Sequence, residues 1–175
     1  MPTGRRVIEA VELVNDPTVG GAGVFFDDLS VQYQGGREVG QRYCDPAAAN
    51  STGLPALVSA FGAAIAAGAQ PLRLLGRQLP PRAPAVLLVS RGDDLVPGAS
   101  GDQGTLCLGS PPGSHTLSRA DAAGLVSIEV DPEALPLGGG WKIRPGETWN
   151  FQWLYRDRNP VGTTNLTDAV AMTFL

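Results

Sequence analysis

RPGETWNFQWLYRD, residues 144–157, is the stretch whose reading decides the fold. Pro145 and Gly146 signal a turn, and a period of two starts directly after it. Trp149, Phe151, Trp153 and Tyr155 fall on one side, while Asn150, Gln152, Leu154 and Arg156 fall on the other. Successive side chains of a strand point to opposite faces, so this alternation predicts a strand with one buried face. Four aromatics on that face bury more apolar area than any other stretch, which makes this the expected central strand.

Outward from it, short apolar runs at residues 72–75 and 85–90 are bounded by prolines and read as buried strands. Residues 105–108, 114–117 and 125–130 continue the series, and 168–174 closes it. DPEAL at 131–135 fits one helical turn, with Asp131 as N-cap and Pro132 at the first helical position. The Ala-rich stretch 54–69 suits a helix by propensity. Gly62, Gly68 and a lack of charge argue against an exposed amphipathic one. The expected fold is all-β, an antiparallel β-sandwich (Ig-like or jelly-roll) of roughly seven or eight short strands, with a short N-terminal strand segment.

Composition agrees. Gly 23 and Pro 15 make about a fifth of the 175 residues, against roughly 12% in average usage. That excess is turn punctuation, because 43% hydrophobic content is enough for a core. A net charge of −4 without a basic cluster gives no footprint for nucleic acid. No apolar run approaches the roughly 20 residues of a membrane helix, so no membrane span is expected. Residues 1–17 carry basic residues but no apolar core, since Glu9, Glu12 and Asn15 interrupt it, so they do not read as a secretory signal.

GVFFDDLSVQYQGG, residues 23–36, is a strand pattern ending in a Gly-Gly break, with the alternating stretch 6–14 before it. It resembles the closing strand of jelly-roll carbohydrate-binding modules, which often end in an IDDVSV-type sequence. The resemblance implies that residues 1–34 are the tail of a truncated upstream β-domain, that 35–42 are a linker, and that 43–175 form the main module. The chain would then be a piece of a longer secreted protein. Asp27 shares a face with Leu29 and Val31, and an inward carboxylate is costly unless paired. In the modules it resembles, such an aspartate helps hold a structural calcium. The plainer reading is a strand-end carboxylate capping backbone amides.

A second resemblance spans residues 43–174. It rests on YC (43–44) followed by NSTG (50–53), GTLCLG (104–109), PGETWNFQ (145–152), YRD (155–157) and NLTDAVAMTF (165–174). In that order the motifs resemble a C-terminal module of large secreted proteins of environmental bacteria. That family reads FQ-small-WYRD, whereas this chain has Trp153 before Leu154, which moves the tryptophan to the other face of the strand. The family offers no catalytic residues to carry over. The resemblance implies a non-catalytic extracellular accessory, adhesion or surface-attachment module, secreted or at the cell surface.

Cys44 and Cys107 form a disulfide if the protein is exported; the alternative is two free thiols, with Cys107 buried as a small hydrophobe. A zinc site is not expected, because His115 is the sole histidine and no CxxC occurs. Neither a GxSxG elbow nor an HExxH helix supports catalysis by His115. The pairs Asp27–Asp28 and Asp93–Asp94 do not make glycosidase carboxylates, since strand neighbours point apart. Asp93, Asp94 and Asp102 are the carboxylates of one loop that calcium would take, without EF-hand spacing; no other cofactor is expected. NST at 50–52 and NLT at 165–167 match the glycosylation pattern. Trp141 follows Gly138-Gly139-Gly140 and is the candidate sugar-stacking ring, with Arg144 or Asn159 to supply hydrogen bonds. The expected partner is a polysaccharide or cell-surface component. Beside the accessory role stand a carbohydrate-binding module and the C-terminal fragment of a secreted hydrolase whose catalytic domain is absent.

Overall fold

A computed structural model describes residues 38–66, 72–98, 103–136, 141–159 and 161–175. The readings of residues 1–34, Asp27 among them, and of Asp102 lie outside these. The described residues form twelve β-strands: β1 (Glu38–Val39), β2 (Gln41–Tyr43), β3 (Leu57–Phe61), β4 (Leu72–Arg77), β5 (Pro84–Ser90), β6 (Asp93–Pro97), β7 (Thr105–Leu108), β8 (Gly113–Ser114), β9 (Ser118–Arg119), β10 (Val126–Val130), β11 (Thr148–Arg158) and β12 (Gly162–Thr173). The fold is all-β and antiparallel, as expected, with more strands than the motif spacing suggests. Short edge strands such as β1, β8 and β9 are two residues long and leave no periodicity to read.

One sheet has the order β1-β3-β4-β10; the other runs β2-β12-β11-β5-β8, with β9 also pairing β5. The sheets form a sandwich that is not closed into a barrel. Between them lie Val58, Leu72 and Leu74 from the first sheet and Leu87, Val89, Trp149, Phe151, Trp153, Tyr155, Val170 and Met172 from the second. All four aromatics of β11 are at most 1% exposed, so the odd-numbered face is the core face. DPEAL does not become a helix: Ala134 N donates to Asp131 O at 3.1 Å and the chain turns. Within 54–66, the described part of the Ala-rich stretch, the chain forms β3 and not a helix.

Part of the stretch expected as a linker is strand. Glu38 and Val39 pair with Phe61 and Ala60, whereas Gln41 to Tyr43 pair with Ala171 to Ala169. The chain therefore changes sheets at Gly40, whose φ of +87° and close approach to Met172 and Val170 leave no room for a side chain. These strands lie at sheet edges with mostly exposed side chains, so their text is polar and reads as a linker.

From Trp149 to Trp153 β11 is buried on both faces and not on one. Asn150 is 4% and Gln152 0% exposed. The outer face of the second sheet is covered by the β6–β7 hairpin, where Leu106 and Leu108 meet Val86, Leu88, Leu154 and Leu166. Gln152 holds this layer with three bonds: Oε1 accepts from Cys107 N at 3.0 Å, and Nε2 donates to Thr105 O at 2.9 Å and Thr167 O at 2.7 Å. The Cys44–Cys107 disulfide forms, closing a separation of 63 residues with its Cα atoms 6.3 Å apart. In the chain-entropy account a loop of that length contributes about 4 kcal/mol.

β12 carries a bulge. Gln152 opposes Ala169 but Leu154 opposes Leu166, so Thr167 and Asp168 face the single Trp153. Thr167 Oγ1 accepts from Trp153 N at 3.0 Å, replacing a ladder acceptor. The extra residue sends the Asp168 carboxylate towards the first sheet, where it accepts from Val58 N at 2.6 Å and from the Arg42 guanidinium.

Two substitutions test this layering by urea unfolding. Phe151→Ala is expected to cost about 3–5 kcal/mol, the range for a large buried aromatic. Thr167→Val keeps the shape but strands the Trp153 N–H, with an expected cost of about 1–3 kcal/mol. Midpoints unchanged from the parent would overturn the core face and the bulge respectively.

Candidate functional site

β11 runs the length of its sheet, and candidate sites lie at its two ends. At its start the RPGE turn places Pro145 and Gly146 at the central positions, Gly146 with φ +84°, and Glu147 N donates to Arg144 O at 3.1 Å. This turn presents Glu147 to three donors: Arg144 N at 3.0 Å, Trp149 Nε1 at 3.0 Å, and the Arg91 guanidinium. Arg91 follows β5, whose Ser90 opposes Asn150. Its guanidinium carbon sits 4.5 Å from the Trp141 ring centroid and 5.3 Å from that of Trp149. Each contact at such a site contributes about 0.5–1 kcal/mol.

Trp141 is 42% exposed, as the sequence suggests, yet its ring is stacked against Arg91. Arg144 is in the neighbouring turn. Asn159 is not: it follows the far end of β11, about 33 Å away at the usual strand rise. There its carbonyl accepts from the Gln103 amide, so it cannot serve a sugar on Trp141. The expected trio is split because a long hairpin, invisible as such in the sequence, separates its members.

The remaining candidates have structural roles or no partners. Asp93 pairs with Leu108 across the hairpin, and Asp94 Oδ1 accepts from Leu95 N at 2.8 Å. Among the described residues no group of three or more His, Cys, Asp or Glu side chains is placed to hold a metal. Burial lowers the pKa of His115 from its ordinary value, which keeps the ring neutral, and its Nε2 has no partner. Both glycosylation-type asparagines are inside. Asn50 is 2% exposed and donates to Gln78 O at 2.7 Å, and Asn165 is 0% exposed.

At the other end, β11 and β12 extend past the start of β5, and the PPR turn at 80–82 diverges from them. The space between is an open cleft of about 590 Å³. Its charged lining is Arg82, Arg156, Arg158 and Asp157. Asp157 is 4% exposed and already occupied, accepting from Ser51 N at 3.2 Å and from Arg158 N at 2.7 Å. Sequence reasoning missed this site. Its signals were two arginines flanking an aspartate at a strand end and an arginine after two prolines, which only the fold brings together.

Compared with protein-family models, curated proteins and solved structures, the chain matches none. No helix among the described residues is long and apolar enough to cross a membrane.

Glu147 gives the first end a pH signature. Burial opposes its ionisation, but the Arg144 N–H, the Trp149 indole and the charges of Arg91 and Arg144 outweigh it and lower the pKa. A carboxyl depressed in the folded state stabilises fully above its unfolded value, near 4.5, and loses that contribution as pH falls through the lower folded value. Asp168 has the opposite sign: burial raises it, so its contribution declines as pH rises through the raised value. Comparing the parent with Glu147→Gln isolates the first effect. The parent's stability advantage is expected to hold near neutrality and shrink below about pH 4.5; an advantage independent of pH would overturn the assignment.

Proposed function

We propose that this chain is a non-catalytic extracellular module that attaches a larger secreted protein to a surface. The observation that supports this most is the Cys44–Cys107 disulfide, which joins the segment after β2 to the hairpin layer over the second sheet. Disulfides persist in oxidising compartments outside the cytosol. The hydrogen bonds of Cys107 add to the case: its N–H goes to Gln152 and its carbonyl to the Tyr43 hydroxyl at 2.8 Å. Reduction would loosen a covering layer and not a surface tag.

Sugar binding is the second reading, favoured by the exposed edge of Trp141 and by the open arginine-lined cleft. Both lie at the ends of the sandwich, where loops present side chains on a rigid frame.

A fusion to a fluorescent protein tests the attachment role. Sedimented with bacterial envelope particles and insoluble polysaccharides, it is expected to be retained saturably, beyond the fluorescent protein alone. Absence of retention on every particle would overturn attachment, and release of reducing sugar would overturn the non-catalytic assignment.

A further inference from the structure

We propose that the cleft at the hairpin end of β11 binds an acidic polysaccharide, whose carboxylate or sulfate groups are held by Arg82, Arg156 and Arg158. The inference rests on the attachment reading and names its ligand chemistry.

Three arginines line one cleft whose sole carboxylate among the described residues, Asp157, is buried and accepts from backbone N–H groups. Among the described residues none of the three makes a side-chain hydrogen bond or ion pair. Elsewhere Arg42 and Arg91 find carboxylates, and Arg73, Arg77 and Arg119 find hydroxyl or carbonyl oxygens. Three positive charges against the single negative charge of Asp157 leave the cleft net positive, and an entering oxyanion is attracted to it. Arg156 and Arg158 are two apart on a strand and so project to the same side. The planar guanidinium fork matches carboxylate and sulfate oxygens in a bidentate way that a lysine would not.

Arg82 makes the third arm at a cost in backbone energy. Its φ is +60°, a region most side chains avoid. It is fixed there by Arg82 N donating to Asp121 O at 3.1 Å and by Arg119 Nη1 donating to Arg82 O at 2.9 Å.

Pro80, Pro81 and Pro84 line the same wall. They have no N–H, so this wall cannot pair with an extended peptide as an added strand requires. What it offers is flat apolar ring surface beside guanidinium forks, which suits the C–H faces and acid groups of a sugar chain. The volume, about 590 Å³, is in the ordinary range for ligand sites.

The test titrates the full chain with polygalacturonate, dextran sulfate, uncharged dextran, poly-glutamate and duplex DNA. One or both acidic polysaccharides are expected to bind, more weakly as salt rises, and dextran is not. The polygalacturonate and dextran sulfate arms tell carboxylate from sulfate recognition. Arg156→Ser/Arg158→Ser is expected to weaken binding about tenfold or more at unchanged Tm. Arg82→Gly is expected to weaken it too, with Tm equal or higher, because glycine adopts a positive φ freely.

Failure of both acidic polysaccharides to bind, equal binding by the arginine variants, or stronger binding of poly-glutamate or DNA would overturn the proposal. Particle retention undiminished in the double variant would remove the cleft and leave attachment standing. Polyanion binding without particle retention would do the reverse.

Discussion

Gln152 is fully buried on the outer side of β11, and the covering of that side depends on its amide. An unpaired amide there would cost more than its bonds return, so its position is tolerable only if every polar atom has a partner. The partners are backbone atoms of β7 and β12, which makes the side chain a substitute for a strand edge. From this pairing the rest of the layer follows. β7 is held with Leu106 and Leu108 facing Leu88, Leu154 and Leu166, and Cys107 is brought to Cys44. Tyr43 closes the arrangement through its hydroxyl; burial, with the nearby charge of Asp93, raises its pKa and keeps it a donor.

The same economy governs the open edges of the first sheet. β1 pairs only with Ala60 and Phe61, so the Val58 N–H on that side would be left without a strand partner. The β12 bulge supplies one in Asp168, and Arg42 supplies the counter-charge that a carboxylate with no exposure requires. β6 solves its own edge differently: all five residues are exposed, and Asp93, Asp94 and Pro97 discourage another strand from adding on.

What was legible in the sequence is what periodicity encodes. The aromatic alternation of β11 gave the core face correctly, and the turn at Pro145-Gly146 gave its start. Periodicity could not tell that Asn150 and Gln152 are also buried, because a polar residue in an alternating pattern reads as solvent-facing whether water or a backbone satisfies it. The strands at Gly40 were illegible for a related reason: edge strands two or three residues long carry polar side chains. At the sites, exposure of Trp141 was readable from its glycine-rich approach. Its Arg91 partner, fifty positions earlier, was not, and neither was the separation of Asn159 from Arg144. Contacts between distant loops depend on strand length and register, which local composition does not encode.

The polar sequence motifs between residues 43 and 174 serve the frame. In NSTG, Asn50 donates to Gln78 and Ser51 to Asp157; in GTLCLG, Cys107 bonds Cys44; in WNFQ, Gln152 holds β7; in TDAV, Asp168 reaches Val58. These polar groups are turned inward and spent on the frame, so none remains to select a partner. Among the described residues the guanidinium groups of Arg82, Arg156 and Arg158 make no hydrogen bond or ion pair. A fold built this way can change its cleft without disturbing its core, because the arginines that line the cleft and the groups that hold the fold are different residues.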